Sequence, residues 1–355
     1  MSSPPSTAIE WANPTRRRDF DAWLQGIAAA HDLDLASVRS ASSDASFRRY
    51  FRIGNRNGTG SYIVMDAPPD REDVRPFMAV AALISQAGLC GPSVLEHCDA
   101  HGFLLLTDLG STLYLDALQG AVAAGDSVRV ETLMREAANT LVQWQTRVDA
   151  SGLPVYDDAL LRKELGLFAQ WCVRLEHGVE WSTQELGVWD GACNALVRSA
   201  LAQPTVAVHR DYMPRNLMVV APGRPGILDF QDAVRGPVTY DLASLLRDAF
   251  ISWDETQELD WAVRYWEAAR RAGLDLPEDF GEFWRQVEWM GLQRHLKVLG
   301  IFCRLKHRDA KPQYSRDLPR FFKYAHHVSA RYNELRPLAR LLEPLMGAQR
   351  IEVYT

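Results

Sequence analysis

The chain has 355 residues, of which 47% are hydrophobic, 24% charged and 10% aromatic. These fractions are those of an ordinary globular protein, so they exclude a collagen-like fibre, a coiled-coil rod and general disorder, and at about 150 residues per domain the length predicts two domains or three. The formal net charge of −6 argues against a protein dedicated to nucleic acid or to an anionic membrane surface, because such proteins are usually basic.

The sequence does not predict a membrane-spanning helix, a secretory signal or a disulfide framework. No apolar run approaches the roughly 20 residues that a membrane-spanning helix needs. Residues 1–18 end in three arginines and contain no apolar core of a secretory signal. The five cysteines form no CxxC pair, which argues against a disulfide framework or a zinc site and favours a reducing cytoplasm.

The N-terminal third of the chain predicts a small sheet with two helices. In residues 47–53 the apolar Phe47, Phe51 and Ile53 alternate with polar side chains, which is typical of a strand with one face in water. A small polar loop at 41–46 precedes this strand. The predicted elements are, in chain order, a helix at 16–31, strands at 38–40, 47–53 and 61–66, a helix beginning near Arg75 and ending at 87, and a strand at 103–107.

The rest of the chain is mostly helical in pattern. One β-like island interrupts it at residues 217–230, split by a turn rich in proline and glycine. Residues 1–108 are therefore predicted to form a small α/β unit and residues 109–355 a larger helical unit.

The most informative stretch is residues 208–230, which contains Asp211, then Asn216, then Asp229 after the predicted turn. Transfer of a phosphoryl group needs a carboxylate to orient the attacking hydroxyl and oxygen ligands to hold Mg²⁺ on the triphosphate. An aspartate, an asparagine and a second aspartate at this spacing match the pattern H-R-D-x-x-x-x-N followed by an apolar strand that ends in aspartate. Each residue alone has an ordinary explanation in a turn or a helix cap, but the set favours Mg²⁺-dependent chemistry.

These residues resemble the aminoglycoside phosphotransferase family, whose fold is similar to that of protein kinases. Residues 209–216 match the catalytic loop of that family, residues 228–230 its metal-binding motif, and residues 236–243 the segment that follows. The resemblance implies an α+β, bilobal protein-kinase-like fold with a small antiparallel-sheet N-lobe and a mostly helical C-lobe. It also implies ATP and Mg²⁺ as cofactors.

Four strings carry a closer likeness within that family, to the anomeric amino-sugar kinases of bacterial cell-wall recycling. They are SDASFRRYFR (43–52), MDAPPD (65–70), HRDYMPRNLMV (209–219) and LDFQDAVRGPVTYDLASLLRDAF (228–250). The likeness implies transfer of the ATP γ-phosphoryl group to the anomeric hydroxyl of N-acetylmuramate, with N-acetylglucosamine also accepted. The implied partners are these small molecules, with no nucleic acid, no membrane and no obligate protein partner.

The resemblance also implies roles for single residues. Asp211 would orient the sugar hydroxyl, Asn216 and Asp229 would hold Mg²⁺, and His209 and Asp241 would support the catalytic loop. The implied nucleotide-binding residues are Ser42, Ser43, Asp44, Ala45 and Ser46 around the phosphates, with Leu106, Asp108 and Leu109 at an adenine-binding hinge.

One departure from the family concerns the third strand, which usually supplies a lysine for the α- and β-phosphates. Residues 61–66 contain no lysine, and the nearby candidate cations are Arg48, Arg49 and Arg52. Strand alternation places Arg48 and Arg52 on one face, and Arg48 is assigned to the nucleotide. The missing lysine is also the observation that favours an alternative, a nucleotide-binding pseudokinase.

Charge distribution bears on the substrate. Residues 291–340 carry a net charge of +9 and the rest of the chain −15. Most of these cations have an ordinary explanation as a solvated face of surface helices, but the sign suits an anionic sugar better than a cationic aminoglycoside, choline or homoserine, the other substrates of this fold that we consider. Arg294 and Lys297, one helical turn apart, are predicted to clamp a carboxylate together. Arg215 and Glu164 are further candidates for contact with the sugar.

Overall fold

The computed structural model describes residues 13–43 and 47–346, together with Ile9 and Trp11. The predicted nucleotide-binding residues Asp44, Ala45 and Ser46 lie outside this part, as do the side chains of Ser42 and Ser43. The chain divides into two compact units. Unit 1 comprises the described residues of Met1–Thr112 and Met218–Asp232, and unit 2 those of Leu113–Leu217 and Ala233–Thr355.

Strands and helices are numbered along the chain. The strands are β1 Arg39–Ser43, β2 Arg49–Gly54, β3 Ser61–Asp66, β4 Val94–Cys98, β5 Phe103–Thr107, β6 Thr205–Val208, β7 Leu217–Ala221, β8 Arg224–Ile227 and β9 Val234–Pro237. The α-helices are α1 Pro14–Ile27, α2 Arg75–Gln86, α3 Tyr114–Ala123, α4 Ser127–Arg147, α5 Asp158–Leu167, α6 Thr183–Leu201, α7 Tyr240–Leu246, α8 Glu255–Arg271, α9 Phe280–His307, α10 Leu318–Arg331 and α11 Arg336–Leu342. A π-helical segment, Phe168–Glu176, continues α5.

Unit 1 is built on an antiparallel sheet of five strands in the order β1-β2-β3-β5-β4. Register pairs Phe51 with Val64 and Val64 with Leu105, so these residues share one face of the sheet. Phe20 of α1 covers that face, with its ring centroid 5.2 Å from Phe51 and 5.4 Å from Phe103. Burial of these apolar rings fixes α1 on the sheet.

Each predicted strand and helix of unit 1 has a counterpart in the structure, although the helix predicted to end at residue 31 ends at Ile27. Two further points differ. The loop predicted from residue 41 is wrong at its start, because β1 continues to Ser43 and pairs with β2. Strand β4 was not predicted, because its positions are only partly buried and carry a glutamate and a histidine at the sheet edge, where the alternation of apolar residues is weak. Unit 1 also contains the β7–β8 hairpin, which turns at Gly223 with φ +71°.

Unit 2 is mostly helical, with a two-stranded antiparallel ladder of β6 and β9. Its central element is α9, which begins at the N-cap Asp279 and packs against α5, α6, α7, α10 and the π-helical segment. Every residue from Val287 to Lys297 is buried, including Arg294 and Lys297. Arg294 and Lys297 therefore do not belong to a solvated surface face, because neighbouring helices enclose α9 at this point.

Within the described ranges, no helix is both long and apolar enough to span a lipid bilayer. All five cysteines are free thiols.

Candidate active site

The loop that contains Asp211 follows β6 in unit 2 and is anchored at its start. Residues Val206, Ala207 and Val208 are buried, and the Trp144 indole donates a hydrogen bond of 2.8 Å to the Ala207 carbonyl. Arg210 has φ +75°, a left-handed conformation that costs a non-glycine residue about 1–2 kcal/mol. Such strain persists only where neighbouring groups hold the backbone, and it concentrates at functional sites.

Asp241 at the start of α7 holds this strained turn. Its fully buried carboxylate accepts hydrogen bonds from the backbone N–H of His209 at 2.7 Å and of Arg210 at 2.9 Å. Burial raises the pKa of Asp241 to about 7, although the two backbone donors act to lower it. The His209 ring is buried too, and its Nδ1 accepts from the backbone N–H of Asp211 at 3.3 Å.

A buried network of charged side chains also supports this turn, through the side chain of Arg210. Glu164 of α5 is 4% exposed and accepts hydrogen bonds from the Arg210 guanidinium and the Tyr156 hydroxyl. The Lys297 ammonium lies 3.4 Å from Glu164 and donates to the Tyr240 hydroxyl at 3.0 Å. Glu164 and Lys297, predicted from the sequence to touch the sugar, thus pair with each other, and Glu164 also pairs with Arg210.

Asp211 presents a carboxylate that remains 41% exposed, beside buried cations. Its Oδ1 lies 3.8 Å from Nη2 of Arg294. Desolvation works to raise the pKa of Asp211, but the charges of Lys297 and then Arg294 outweigh it and lower the pKa below its usual value. The group is therefore an anion at neutral pH, able to accept a hydrogen bond from a hydroxyl.

Asn216 is fixed relative to Asp211 by a short 3₁₀ turn, Pro214–Asn216. Its Nδ2 donates to the backbone carbonyl of Asp211 at 2.9 Å, and the residue is 9% exposed. The neighbouring Arg215 is exposed, and its guanidinium carbon lies 5.1 Å from the centre of the Phe250 ring. Asn216 thus offers an amide oxygen whose orientation is set by the loop itself.

Unit 1 holds the third motif residue, Asp229, just after the β7–β8 hairpin. Asp229 has φ +58° and a side chain 33% exposed, and its Oδ1 accepts a hydrogen bond of 3.0 Å from Gln231. Arg48 lies beside it, with Nη2 3.7 Å from that oxygen and Nε 3.8 Å from Oε2 of Glu72. Glu72 was not among the residues predicted from the sequence. Its position just before α2 is the one sequence feature that points to it.

The other two candidate cations of unit 1 are bound elsewhere. Arg49 donates from Nε to Asp66 at 3.0 Å, and Arg52 donates from Nε to Asp108 at 2.6 Å. The structure therefore separates the three arginines that sequence reasoning left open, since Arg48 is the one placed beside Asp229.

The predicted hinge residues lie at the end of β5. Leu106 is 2% exposed within the strand. Asp108 also accepts from the Ser61 hydroxyl at 2.6 Å and from the Gly110 backbone at 2.9 Å, so its side chain holds the turn after the strand. Leu109 packs so closely on Gly226 that a Cβ there would lie 2.8 Å from Cδ1 of Leu109.

Comparison with known proteins shows which family the chain is similar to. The model of the phosphotransferase enzyme family (APH) matches residues 37–280. The chain is 50% identical to an N-acetylmuramate/N-acetylglucosamine kinase of Pseudomonas aeruginosa, covering 88% of the chain and 90% of that protein. It is 46% identical to a kinase of the same name from Neisseria meningitidis, covering 93% of the chain and 96% of that protein.

Two solved structures share the fold at low sequence identity. One is the choline kinase LicA of Streptococcus pneumoniae, with a TM-score of 0.61 and 13% identity over 89% of this chain and 100% of that chain. The other is a Plasmodium vivax ethanolamine kinase, with a TM-score of 0.59 and 11% identity over 88% of this chain and 89% of that chain. They confirm the predicted protein-kinase-like α+β fold with an antiparallel sheet and a helical remainder.

Proposed function

The chain belongs to the phosphotransferase enzyme family, and from this premise we propose that it is an ATP-dependent sugar kinase. It transfers the γ-phosphoryl group to the anomeric hydroxyl of N-acetylmuramate, and also of N-acetylglucosamine, giving the sugar 1-phosphate. The observation that carries this substrate is the likeness along almost the whole chain to two kinases of that name. The reaction would return cell-wall sugars to metabolism, and the cytoplasm, where ATP is available, is the compartment it implies.

Asp211 is the proposed catalytic residue. Lys297 and Arg294 keep its pKa low, so the carboxylate accepts the hydrogen bond of the anomeric hydroxyl and aims the oxygen at the phosphorus. His209 and Asp241 are positioning residues that hold the loop, and Glu164 acts through Arg210. Arg215, exposed beside Asn216, stays a candidate for contact with substrate.

The proposed cofactors are ATP and Mg²⁺. Asn216 and Asp229 offer the amide and carboxylate oxygens that Mg²⁺ prefers, and each is held by a hydrogen bond within its own unit. When bound, the metal neutralises charge on the transferred phosphoryl group. We assign residues 1–108 to the nucleotide, through residues 42–46, Arg48 and the segment 106–109, and residues 109–355 to catalysis and the sugar.

Arg48 is the proposed substitute for the lysine that β3 lacks. Its position beside Asp229 and Glu72 supports a role as the cation for the nucleotide phosphates. This arrangement favours an active kinase over a pseudokinase. The charge around Asp211 also favours a substrate that is not a cation, because the buried Arg294 and Lys297 would repel an aminoglycoside or choline.

Phosphorus NMR with ATP, Mg²⁺ and N-acetylmuramate tests the proposal. A sugar 1-phosphate resonance is expected with the wild-type protein and with Asp190→Asn, a matched change at an exposed position of α6. Asp211→Asn is expected to lose at least about a hundredfold in rate, within the usual contribution of general acid–base catalysis. A parallel reaction contains kanamycin in place of the sugar. Phosphorylation of kanamycin but not of the sugar would overturn the proposed substrate, and normal turnover by Asp211→Asn would overturn the proposed site.

A further inference from the structure

Arg294 on α9 has hydrogen-bond donors that no described residue accepts. The residue is 3% exposed, yet its Nε and Nη1 have no partner. Its Nη2 lies 4.0 Å from the sulfur of Met213 and 3.8 Å from Oδ1 of Asp211. Buried guanidinium donors are rarely left unsatisfied, so these donors indicate a ligand that binds next to Asp211.

An unsatisfied acceptor lies on Asp248, after α7. The backbone carbonyl of the preceding residue, Arg247, lies 3.2 Å from Nε2 of His295, the residue that follows Arg294 on α9. Asp248 is fully buried, and its Oδ1 accepts from the backbone N–H groups of Phe250 and Ile251, each at 2.8 Å. Its Oδ2 is buried without a partner among the described residues. Burial raises the pKa of Asp248 to about 6, and the charge of Arg294 acts on it in the opposite direction. Unit 2 thus carries a donor set and a single acceptor that are both unsatisfied in the same neighbourhood.

We propose that Arg294 and Asp248 bind the 2-acetamido group of the sugar. The guanidinium donates to the acetamido carbonyl oxygen, and Oδ2 of Asp248 accepts from the acetamido N–H. This assignment rests on the proposed function and specifies which part of the sugar these two residues recognise.

Distance favours the acetamido group over the lactyl group of N-acetylmuramate. Asp211 touches the anomeric hydroxyl in the proposed reaction, so a guanidinium nitrogen 3.8 Å from Asp211 reaches substituents close to the anomeric carbon. The acetamido group is on the neighbouring ring carbon, C2. The lactyl ether is one carbon further along the ring, at C3.

Hydrogen-bonding capacity favours the same choice. An acetamido group has one acceptor and one donor, which matches Arg294 and Asp248. A lactyl carboxylate has acceptors only and would place a second negative charge beside Asp248. The two-cation clamp expected from the sequence is also incomplete, because Lys297 is bound to Glu164 and Tyr240. The acetamido group is present in both sugars, which explains how one site accepts N-acetylmuramate and N-acetylglucosamine.

The test compares sugars that differ at one position. N-acetylglucosamine and glucose differ at C2, whereas N-acetylmuramate and N-acetylglucosamine differ by the lactyl group. The kcat/KM ratios of both pairs are measured for the wild type, for Arg294→Lys and Asp248→Asn, and for the control Arg308→Lys, an exposed position at the end of α9. Where glucose turnover is too slow to follow, the ratio of inhibition constants against N-acetylmuramate replaces it.

The expected result is a fall of at least about tenfold in the preference for N-acetylglucosamine over glucose in each of the two variants. Asparagine replaces a charged acceptor with a neutral one, and the lysine ammonium does not reproduce the planar donor fork of the guanidinium. The preference for N-acetylmuramate over N-acetylglucosamine stays within about twofold of the wild type. Arg308→Lys changes neither ratio. Thermal unfolding followed by circular dichroism identifies any variant that fails to fold. If one of the two variants does not fold, the preference ratios of the other test the assignment.

Two outcomes would overturn the assignment. A fall in the N-acetylmuramate preference alone would show that Arg294 binds the lactyl carboxylate. An equal loss of turnover with all three sugars, which leaves both preference ratios unchanged, would show that Arg294 acts only through Asp211 or the phosphoryl group and does not bind the acetamido group. Absence of turnover by the wild type with every sugar would instead refute the proposed function, which keeps the two hypotheses separable.

Discussion

At Gly300 the backbone of α9 closely approaches a neighbouring segment, and replacing this glycine tests the packing of the helix that carries Arg294 and Lys297. A Cβ at Gly300 would lie 2.4 Å from the backbone carbon of Leu167 and 2.6 Å from the nitrogen of Phe168, where α5 passes into the π-helical segment. Carbon atoms pack at about 3.5–4.0 Å. Both atoms belong to backbone, so one element must move.

Gly291 on the same helix is the matched control. A Cβ there would meet Ala243 at 3.6 Å, an ordinary contact. Gly291→Ala is therefore expected to be neutral or to stabilise by up to about 1 kcal/mol through helix propensity. Gly300→Ala gains the same propensity but incurs an overpacking cost of about 1–3 kcal/mol or more, so it is expected to be the less stable variant by about 1–3 kcal/mol.

Thermal scans of the two variants under identical conditions give the comparison. At about 2.1 cal/mol/K of unfolding entropy per residue, 1 kcal/mol shifts the melting temperature of a 355-residue chain by roughly 1–2 °C. Gly300→Ala is therefore expected to melt about 1–4 °C below Gly291→Ala. Its kcat is expected to fall as well, because α9 and α5 carry the two ends of the Lys297–Glu164 pair. Equal melting temperatures of the two variants would refute the tight approach at Gly300 and the reasoning built on it.

Two further predictions concern the proposed site. Arg48→Met is expected to raise the KM for ATP about tenfold or more while leaving the KM for sugar unchanged, with partial recovery in Arg48→Lys; an unchanged KM for ATP would remove Arg48 from the nucleotide site. The pKa of Asp241 is about 7 in the folded protein and 3.8 ordinarily, so the folded state binds a proton more tightly. The stability that Asp241 contributes should therefore fall as pH rises from about 4 to about 7, and urea unfolding of Asp241→Asn should lack this pH dependence.

Much of the fold was predictable because its signals are local. Alternation in residues 47–53 and the helical spacing before Gly88 each depend on a few neighbouring residues, and the corresponding β2 and α2 appear in the structure. The proposed catalytic motif was visible for the same reason, since Asp211 and Asn216 lie on one short loop and are joined by a local hydrogen bond from the Asn216 side chain to the Asp211 carbonyl. Strand β4 escaped because an edge strand buries too little to leave a clear pattern.

The partners of the charged residues were decided by tertiary structure alone. The sequence offered Arg48, Arg49 and Arg52 as candidate cations, with Arg48 assigned to the nucleotide, and the pairing of the last two with Asp66 and Asp108 depends on which strands meet. It likewise grouped Arg294 with Lys297, yet the fold brings Glu164 from α5 to Lys297 and leaves donors of Arg294 unsatisfied beside Asp211. Charge and spacing determine which residues can form such contacts, whereas the packing of distant helices determines which of them do, because ion pairs and hydrogen bonds act over a few ångströms.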